Sequence, residues 1–457
     1  MRRLKKNIQM AFSIGIMFLA WEGLALMVNK PALVPGVPDL VVTLGSLILS
    51  ANFYLSVLAT LGRGIAGLIL SGVLAMCTAL LFARNENVYG LFKPLLTLMR
   101  SVPVISFILL ALLFLQPEQI PFIIAFLTMF PLLSENLTKG LLHLRPELSV
   151  MGHVFQINRV NHFTQIVYPQ LKPFLFSGLA SAAGFGWRAI IMGEVLSQCP
   201  LGIGSEMKRA QNFIEVPELL AWTLIAVAIS FVFDRGLDAL SRISYPIRYK
   251  TEDNLHETQA TQAIVLTKIS HSYGKRSVLK DFSHQFEKGR IYGISAPSGW
   301  GKTTLLNIIN GTIKPTAGKI ERTDTHGIAS VFQEPYLVNQ ITGLDNIALP
   351  LASFYTKEKA NEIASHFCKL MELEEVAHHH PDTMSYGQQQ RIAIARALAF
   401  PSALLLMDEP FKGLDEPLAA RIIQQIRKLH EINKQTIIFV SHQPDTLTLL
   451  ADETIKL

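Results

Sequence analysis

Long apolar stretches broken by short polar loops run from the N-terminus to about Tyr245. A bilayer core about 30 Å thick is crossed by about 20 apolar residues in helical form. Six stretches reach that length, at roughly 8–28, 54–82, 91–115, 120–142, 174–196 and 219–240. A polar linker, residues 248–262, follows, and beyond it the period changes. Short β-rich runs (AIVLTKI, RIYGISA, ALLLMDE, TIIFVSH) alternate with helical ones. That alternation predicts an α/β domain built on a largely parallel sheet. The expected organisation is an all-α polytopic membrane domain over 1–247, the linker over 248–262, and an α/β domain over 263–457.

Composition sharpens this picture. Half of the 457 residues are hydrophobic and 17% are charged, and the mean hydropathy is +0.33, which excludes a disordered chain. Cys77, Cys199 and Cys368 lie far apart, excluding a disulfide scaffold and any metal-ligand spacing. The net charge of +6 comes without a dense basic block, so no nucleic-acid partner is expected. The basic residues instead report orientation. Arg84, Lys93, Arg145, Arg159, Lys172, Arg242, Arg248 and Lys250 fall on one side of the six stretches, against Lys30, Lys208 and Arg209 on the other. The positive-inside rule places the N-terminus and the second half in the cytoplasm. Arg2, Arg3, Lys5 and Lys6 precede the first stretch, and no A-x-A-like cleavage site follows before Lys30, so that stretch reads as a retained span.

The chemistry is concentrated in the second half. After the strand RIYGIS comes Ala296-Pro297-Ser298-Gly299-Trp300-Gly301-Lys302-Thr303-Thr304, and then a helical run. In that setting backbone N–H groups and a helix N-terminus converge on phosphates. Lys302 would reach the β- and γ-phosphates, and the Thr303 hydroxyl would hold Mg²⁺. Ala296 stands where the pattern has its first glycine; alanine is costly there only if the backbone is left-handed. A second apolar strand ends in Asp408-Glu409-Pro410. Asp408 suits the Mg²⁺ shell, and Glu409 is placed to polarise an attacking water.

With these motifs in view, residues 263–457 resemble the ATP-binding-cassette ATPases. The signature reads Met384-Ser385-Tyr386-Gly387-Gln388, with Tyr386 in place of the usual first glycine. The resemblance implies that ATP and Mg²⁺ are the cofactors, and that Ser385, Gly387 and Gln388 serve a nucleotide held mainly by another copy. It implies that Gln333 in VFQEP lies near Mg²⁺ and that Asp415 belongs to the D-loop. His442 would be the switch histidine, and Tyr273 would stack on adenine. Glu409, His442 and Lys302 are then the expected catalytic residues, with Thr303, Gln333 and Asp408 as the Mg²⁺ set.

The membrane half resembles binding-protein-dependent importer permeases. Thr60-Leu-Gly-Arg63, Arg100-Ser-Val-Pro103, Gly193-Glu194 and Gly202-Ile-Gly204 are similar to the nitrate/sulfonate/taurine group. The loop over about 146–173 resembles their coupling loop, although Val150 and Gln156 replace its usual Glu and Gly. Apolar Val150, Met151, Val154, Phe155 and Ile157 fall at helical spacing, which predicts a short helix over 150–161 covered by a groove near Gln333. By this resemblance the chain is a fused type I importer half-transporter in a bacterial inner membrane. A second copy, an extracytoplasmic solute-binding protein, the lipid bilayer and a small solute (nitrate, sulfonate, taurine or a thiamine precursor) would be its partners. An exporter of the same layout and a non-transporting ATP-driven signalling module are the alternatives. Glu22, Arg63, Arg188, Glu194 and Asp234 are ionisable residues inside spans and so candidates for pairing or for solute contact.

Overall fold

Before the first strand the chain is almost entirely helical: α1 (Arg2–Val28), α2 (Val37–Ile48), α3 (Ala51–Arg84), α4 (Glu86–Ser101), α5 (Val104–Phe114), α6 (Ile120–Leu142), α7 (Pro146–Val154), α8 (Arg159–Asn161), α9 (Tyr168–Ser197), α10 (Ile203–Asn212) and α11 (Val216–Ser241). The structure, a computed structural model, describes residues 2–30, 33–253, 263–274, 276–297, 299–321 and 327–456, with 2–11 and 14 described in backbone alone. Ser298 and linker residues 254–262 lie outside the described residues.

Two compact units emerge. The first comprises residues 1–144 and 170–244, and the second residues 145–169 and 245–457. In the first, the helices of spanning length pack through small residues. The buried face of α3 carries Ser56, Thr60, Gly67, Ser71, Ala75 and Ala79, spaced mostly four apart. Gly67 lets α6 approach so closely that a Cβ would stand 3.0 Å from that of Ala125. Apolar faces gain nothing from leaving lipid, so such close backbone approach is what holds membrane helices together.

Of the six expected spans, the described residues give four as single helices and a fifth as a bent pair that passes the same test of length and hydropathy. Among the described residues, four helices are long and apolar enough to cross a membrane: α3, α6, the continuous helix Arg159–Ser197, and α11. The stretch expected as one span over 91–115 is instead α4 and α5, bent by 91°. Pro103 forces the break, because it has no N–H to donate and drives Val102 into an extended conformation with ψ of 129°. In α1, the apolar part among the described residues is Gly15–Val28, shorter than a full span.

The second unit is layered. Strands β1 (Ile264–Tyr273), β2 (Arg276–Phe286), β3 (Ile291–Ser295), β4 (Ala317–Glu321), β5 (Ile328–Val331), β6 (Leu404–Asp408), β7 (Thr436–Val440) and β8 (Glu453–Lys456) form two sheets. Five strands in the order β5-β6-β7-β3-β8 pair in parallel. β6 and β7 are buried at every position, as expected of a sheet covered on both faces. The run AIVLTKI joins a separate antiparallel sheet, β2-β1-β4. Its partner β2 is largely exposed, with Leu279 and Phe286 buried, and this pattern suits a sheet with one wet face. The helices of this unit are α12 (Lys302–Ile309), α13 (Gly343–Leu351), α14 (Lys357–Leu370), α15 (Tyr386–Ala399), α16 (Glu416–Asn433) and α17 (Pro444–Leu450).

Residues 145–169 belong to this second unit, and their packing shows why. α7 begins at Pro146, four residues before the expected start, because proline is suited to the first turn of a helix. It ends at Val154 because Gln156 takes a left-handed backbone, φ 49°. Leu148, Met151, Val154, Phe155, Ile157 and Ile166 share one buried cluster with Phe400, Phe332 and Leu349. Phe155 is fully buried, its ring edge-on to Phe400 at 5.2 Å between centroids. Ser353 secures the turn, donating to the Gln156 carbonyl (3.1 Å) and accepting from the Asn158 N–H (3.2 Å). Asn161 in turn exchanges two 2.8 Å hydrogen bonds with the backbone of Arg248.

Candidate functional site

The loop after β3 is shaped by two glycines. Gly299 and Gly301 have φ of 87° and 82°, and a Cβ on Gly301 would lie 2.9 Å from the Val278 carbonyl oxygen. Only glycine fits there. Ala296 is not among the described residues of left-handed backbone, so alanine costs nothing at that position. The Pro297 carbonyl accepts from the Trp300 N–H at 3.3 Å. Trp300 itself is exposed, whereas Lys302 and Thr304, in the first turn of α12, are buried. Gly301 caps α12, whose first turn carries no acidic residue to oppose an incoming anion.

Lys302 donates from Nζ to the Ala296 carbonyl at 2.6 Å. Thr303 Oγ1 donates to Asp408 Oδ2 at 2.6 Å. Burial pushes the Asp408 carboxyl above its ordinary range; the Thr303 hydrogen bond opposes this, and the neighbouring Glu409 charge adds to it. Glu409 follows β6 with φ of 47°, and its N–H donates to the Val440 carbonyl at 3.0 Å. A left-handed glutamate costs about 1–2 kcal/mol, and strain of that kind gathers at functional positions. Its Oε1 lies 3.2 Å from His442 Nδ1.

Gln333 follows β5, and with Thr303, Ser330 and Asp408 it lines a cavity of about 230 Å³ whose wall also includes Glu147 and Val150 of α7. Thus the Mg²⁺ set expected from the sequence meets in one place. Ser385 caps α15 by accepting from the Gln388 N–H (3.3 Å), while its own N–H donates to Gln388 Oε1 (2.9 Å). Gly387 lies close against Gly413, and Asp415 is the N-cap of α16. Tyr273 is exposed at the end of β1, its ring edge-on to His271.

Two family models match this chain. The ABC transporter model covers residues 279–412, and that of the binding-protein-dependent transport system inner membrane component covers residues 67–244. The chain is a fused permease–ATPase of the ABC transporter family. Its cassette half is 36% identical over 207 residues to the sulfate/thiosulfate import ATP-binding protein CysA of Escherichia coli (strain K12), covering 42% of this chain and 57% of that protein. CysA 1 of Shewanella oneidensis is also 36% identical, covering 42% and 55%. The chain therefore spans little more than half the length of these relatives. The dimeric post-hydrolysis cassette MJ0796 bound to ADP and Pi is 33% identical, over 42% of this chain and 94% of that one, with a TM-score of 0.40.

In the permease half, four of the five candidate ionisable residues, Glu22, Arg63, Arg188 and Glu194, are engaged in structure. Glu22 accepts from the Val37 N–H at the start of α2 (2.7 Å). Glu194, fully buried, accepts from Thr60, from Arg63 at 2.7 Å and from the Gly204 N–H at 2.9 Å. It thereby ties α3 and α9 to the first turn of α10. Gly202 must be glycine, since φ is 152° and a Cβ would stand 2.5 Å from the Glu194 carboxyl carbon. Arg188 lies over the Phe185 ring, and Asp234 lines a small cavity with Trp187 and Ser230.

Arg396 was not singled out by motif reading. It is fully buried on α15, donating to the Tyr336 and Pro335 carbonyls at 2.8 and 3.2 Å. Its guanidinium stands 5.1 Å from the Phe155 ring centroid. Burial pushes this group down to about 9. A charged residue on the otherwise apolar run IAIARAL was the available signal.

Proposed function

We propose that this chain hydrolyses ATP to drive uptake of a small solute across the bacterial inner membrane. It works as two copies, fed by an extracytoplasmic solute-binding protein, with the N-terminus and cassette in the cytoplasm. The observation that carries this reading is the convergence of Lys302, Thr303, Asp408, Glu409 and His442 in a chain that also matches an importer-type permease. The curated relatives named above are themselves import ATP-binding proteins.

The Thr303 hydroxyl and Asp408 carboxylate, with the Gln333 amide on the same cavity, form a set of hard oxygen donors, which is what Mg²⁺ takes. When bound, Mg²⁺ supplies charge neutralisation at the β- and γ-phosphates. Lys302 exchanges its carbonyl partner for phosphate oxygens. Tyr273 stacks on the adenine. Glu409 accepts a proton from the attacking water as its oxygen bonds to the γ-phosphorus, and the bond to the bridging β–γ oxygen breaks, releasing ADP and phosphate. His442 holds the Glu409 carboxylate in that position. Ser385, Gly387 and Gln388 of the second copy close the site. The solute belongs to the nitrate, sulfonate, taurine or thiamine-precursor classes.

The test is hydrolysis by the full chain in proteoliposomes with and without a candidate solute-binding protein. Stimulation by the loaded binding protein is the expected result. Hydrolysis indifferent to it, together with extrusion of a solute, would assign the chain to export instead.

A further inference from the structure

The side chain that departs from the family signature makes contacts a glycine could not. Tyr386 Oη donates to the Gln333 carbonyl at 3.1 Å. Its ring lies on Gly413, where an added Cβ would stand 2.7 Å from Tyr386 Cδ1. Ser385 and Gln388 satisfy each other within the capping box, so Tyr386 is the signature side chain that reaches out to the Q-loop. Gln333 lines the nucleotide cavity of its own copy, beside Thr303 and Asp408. Ser385 and Gly387, on either side of Tyr386, serve the nucleotide of the second copy under the function proposed above.

We propose that Tyr386 is a positioning residue that links ATP occupancy in one site to the readiness of the signature serving the other. The inference rests on the two-copy reading. The bond is to the backbone of Gln333, so any shift of that main chain as its side chain engages the nucleotide-bound Mg²⁺ must pull on Tyr386 or release it. Tyr386 is the first residue of α15, a helix of 14 residues, and a pull there reorients the exposed N-terminal turn rather than the helix body. The ring on Gly413 extends the same linkage to the loop that ends at Asp415.

The experiment is the ATP dependence of hydrolysis by the full chain in proteoliposomes, for the wild type, Tyr386→Phe and Tyr386→Gly. Two coupled sites give a Hill coefficient between 1 and about 2. A wild-type value well above 1 should fall to about 1 in Tyr386→Phe, which keeps the ring on Gly413 and loses only the hydroxyl. Tyr386→Gly should do the same, and an unchanged melting temperature of Tyr386→Phe separates linkage from folding. Wild-type cooperativity retained in Tyr386→Phe overturns the inference. A wild-type Hill coefficient of 1 also overturns it while leaving ATP hydrolysis standing. A wild type that hydrolyses no ATP overturns the proposed function and this inference together.

Discussion

His442 Nδ1 lies 3.2 Å from Glu409 Oε1, joining the residue after β6 to the second residue after β7. These two strands are neighbours in the parallel sheet, so the pair sits at one edge of a rigid, fully buried platform. A carboxylate held this way is fixed before any water arrives. Glu409→Gln should keep ATP binding and slow turnover by about 10²–10⁴-fold, the usual worth of a general base. Single-turnover hydrolysis by the purified chain is the measurement. A rate near that of the wild type would assign the water to another group.

Each copy supplies one phosphate loop and one signature, so a composite site predicts complementation. Lys302→Ala chains and Ser385→Arg chains should each be inactive alone. Mixed dimers keep one site with Lys302 from one copy and Ser385 from the other, and their ATPase should exceed that of either parent. A mixture no more active than its parents would mean that the sites do not form across two copies, or do not work independently.

Gln156 offers a test of strain. Its φ of 49° is a glycine conformation occupied by a side chain, in the position where the resembled loop has glycine. The bonds to Ser353 use the Gln156 carbonyl and the Asn158 N–H, which a glycine leaves intact. Gln156→Gly should therefore stabilise the second unit by about 0.5–1 kcal/mol, the relief of strain less the entropy of a freer unfolded chain. A lowered melting temperature would show that the glutamine side chain outweighs its backbone cost.

The order of strands and helices in the second half and the motifs of the candidate nucleotide site were legible because they depend on local signals. A phosphate loop needs Gly301 at left-handed φ, a buried parallel strand such as Leu404–Asp408 must be apolar throughout, and both constraints are written in consecutive residues. The broken helix at Pro103 was less legible, because hydropathy averages over a bend that one proline imposes. The segregation of β1 into an antiparallel layer was not legible either, since AIVLTKI reads as a strand in either sheet. The contacts of Arg396, and those of Tyr386 beyond its departure from the signature, escaped for a third reason. Their partners, the carbonyls of Pro335, Tyr336 and Gln333, are about 50 to 60 residues away in sequence, and backbone acceptors leave no mark on composition.

Phe155 is the residue on which the loop's seat depends. It is fully buried within the second unit, against the Arg396 guanidinium and against Phe400, whose ring is in turn edge-on to Phe354. Phe155→Asp would remove the ring's packing and bury a carboxylate beside the Arg396 guanidinium, where the desolvation of the new charge adds to the lost packing, a total of several kcal/mol. Displacing the loop should abolish uptake while nucleotide binding at Lys302 persists. Phe155→Ala, a milder change costing about 3–5 kcal/mol of packing, should weaken uptake in the same direction. Binding of a fluorescent nucleotide and solute accumulation, measured on the same preparations, separate the two effects. Normal accumulation in Phe155→Asp would remove the loop from the transport mechanism.

The most direct test of the account is to follow ATP consumption and solute accumulation together in proteoliposomes that hold the full chain and the proposed solute-binding protein. The predicted result is that accumulation tracks hydrolysis in the wild type and that Lys302→Ala loses both, because one charge serves the phosphates on which everything else depends. Accumulation that continues in Lys302→Ala, or hydrolysis in the wild type that moves no solute the binding protein recognises, would contradict ATP-driven uptake by this chain.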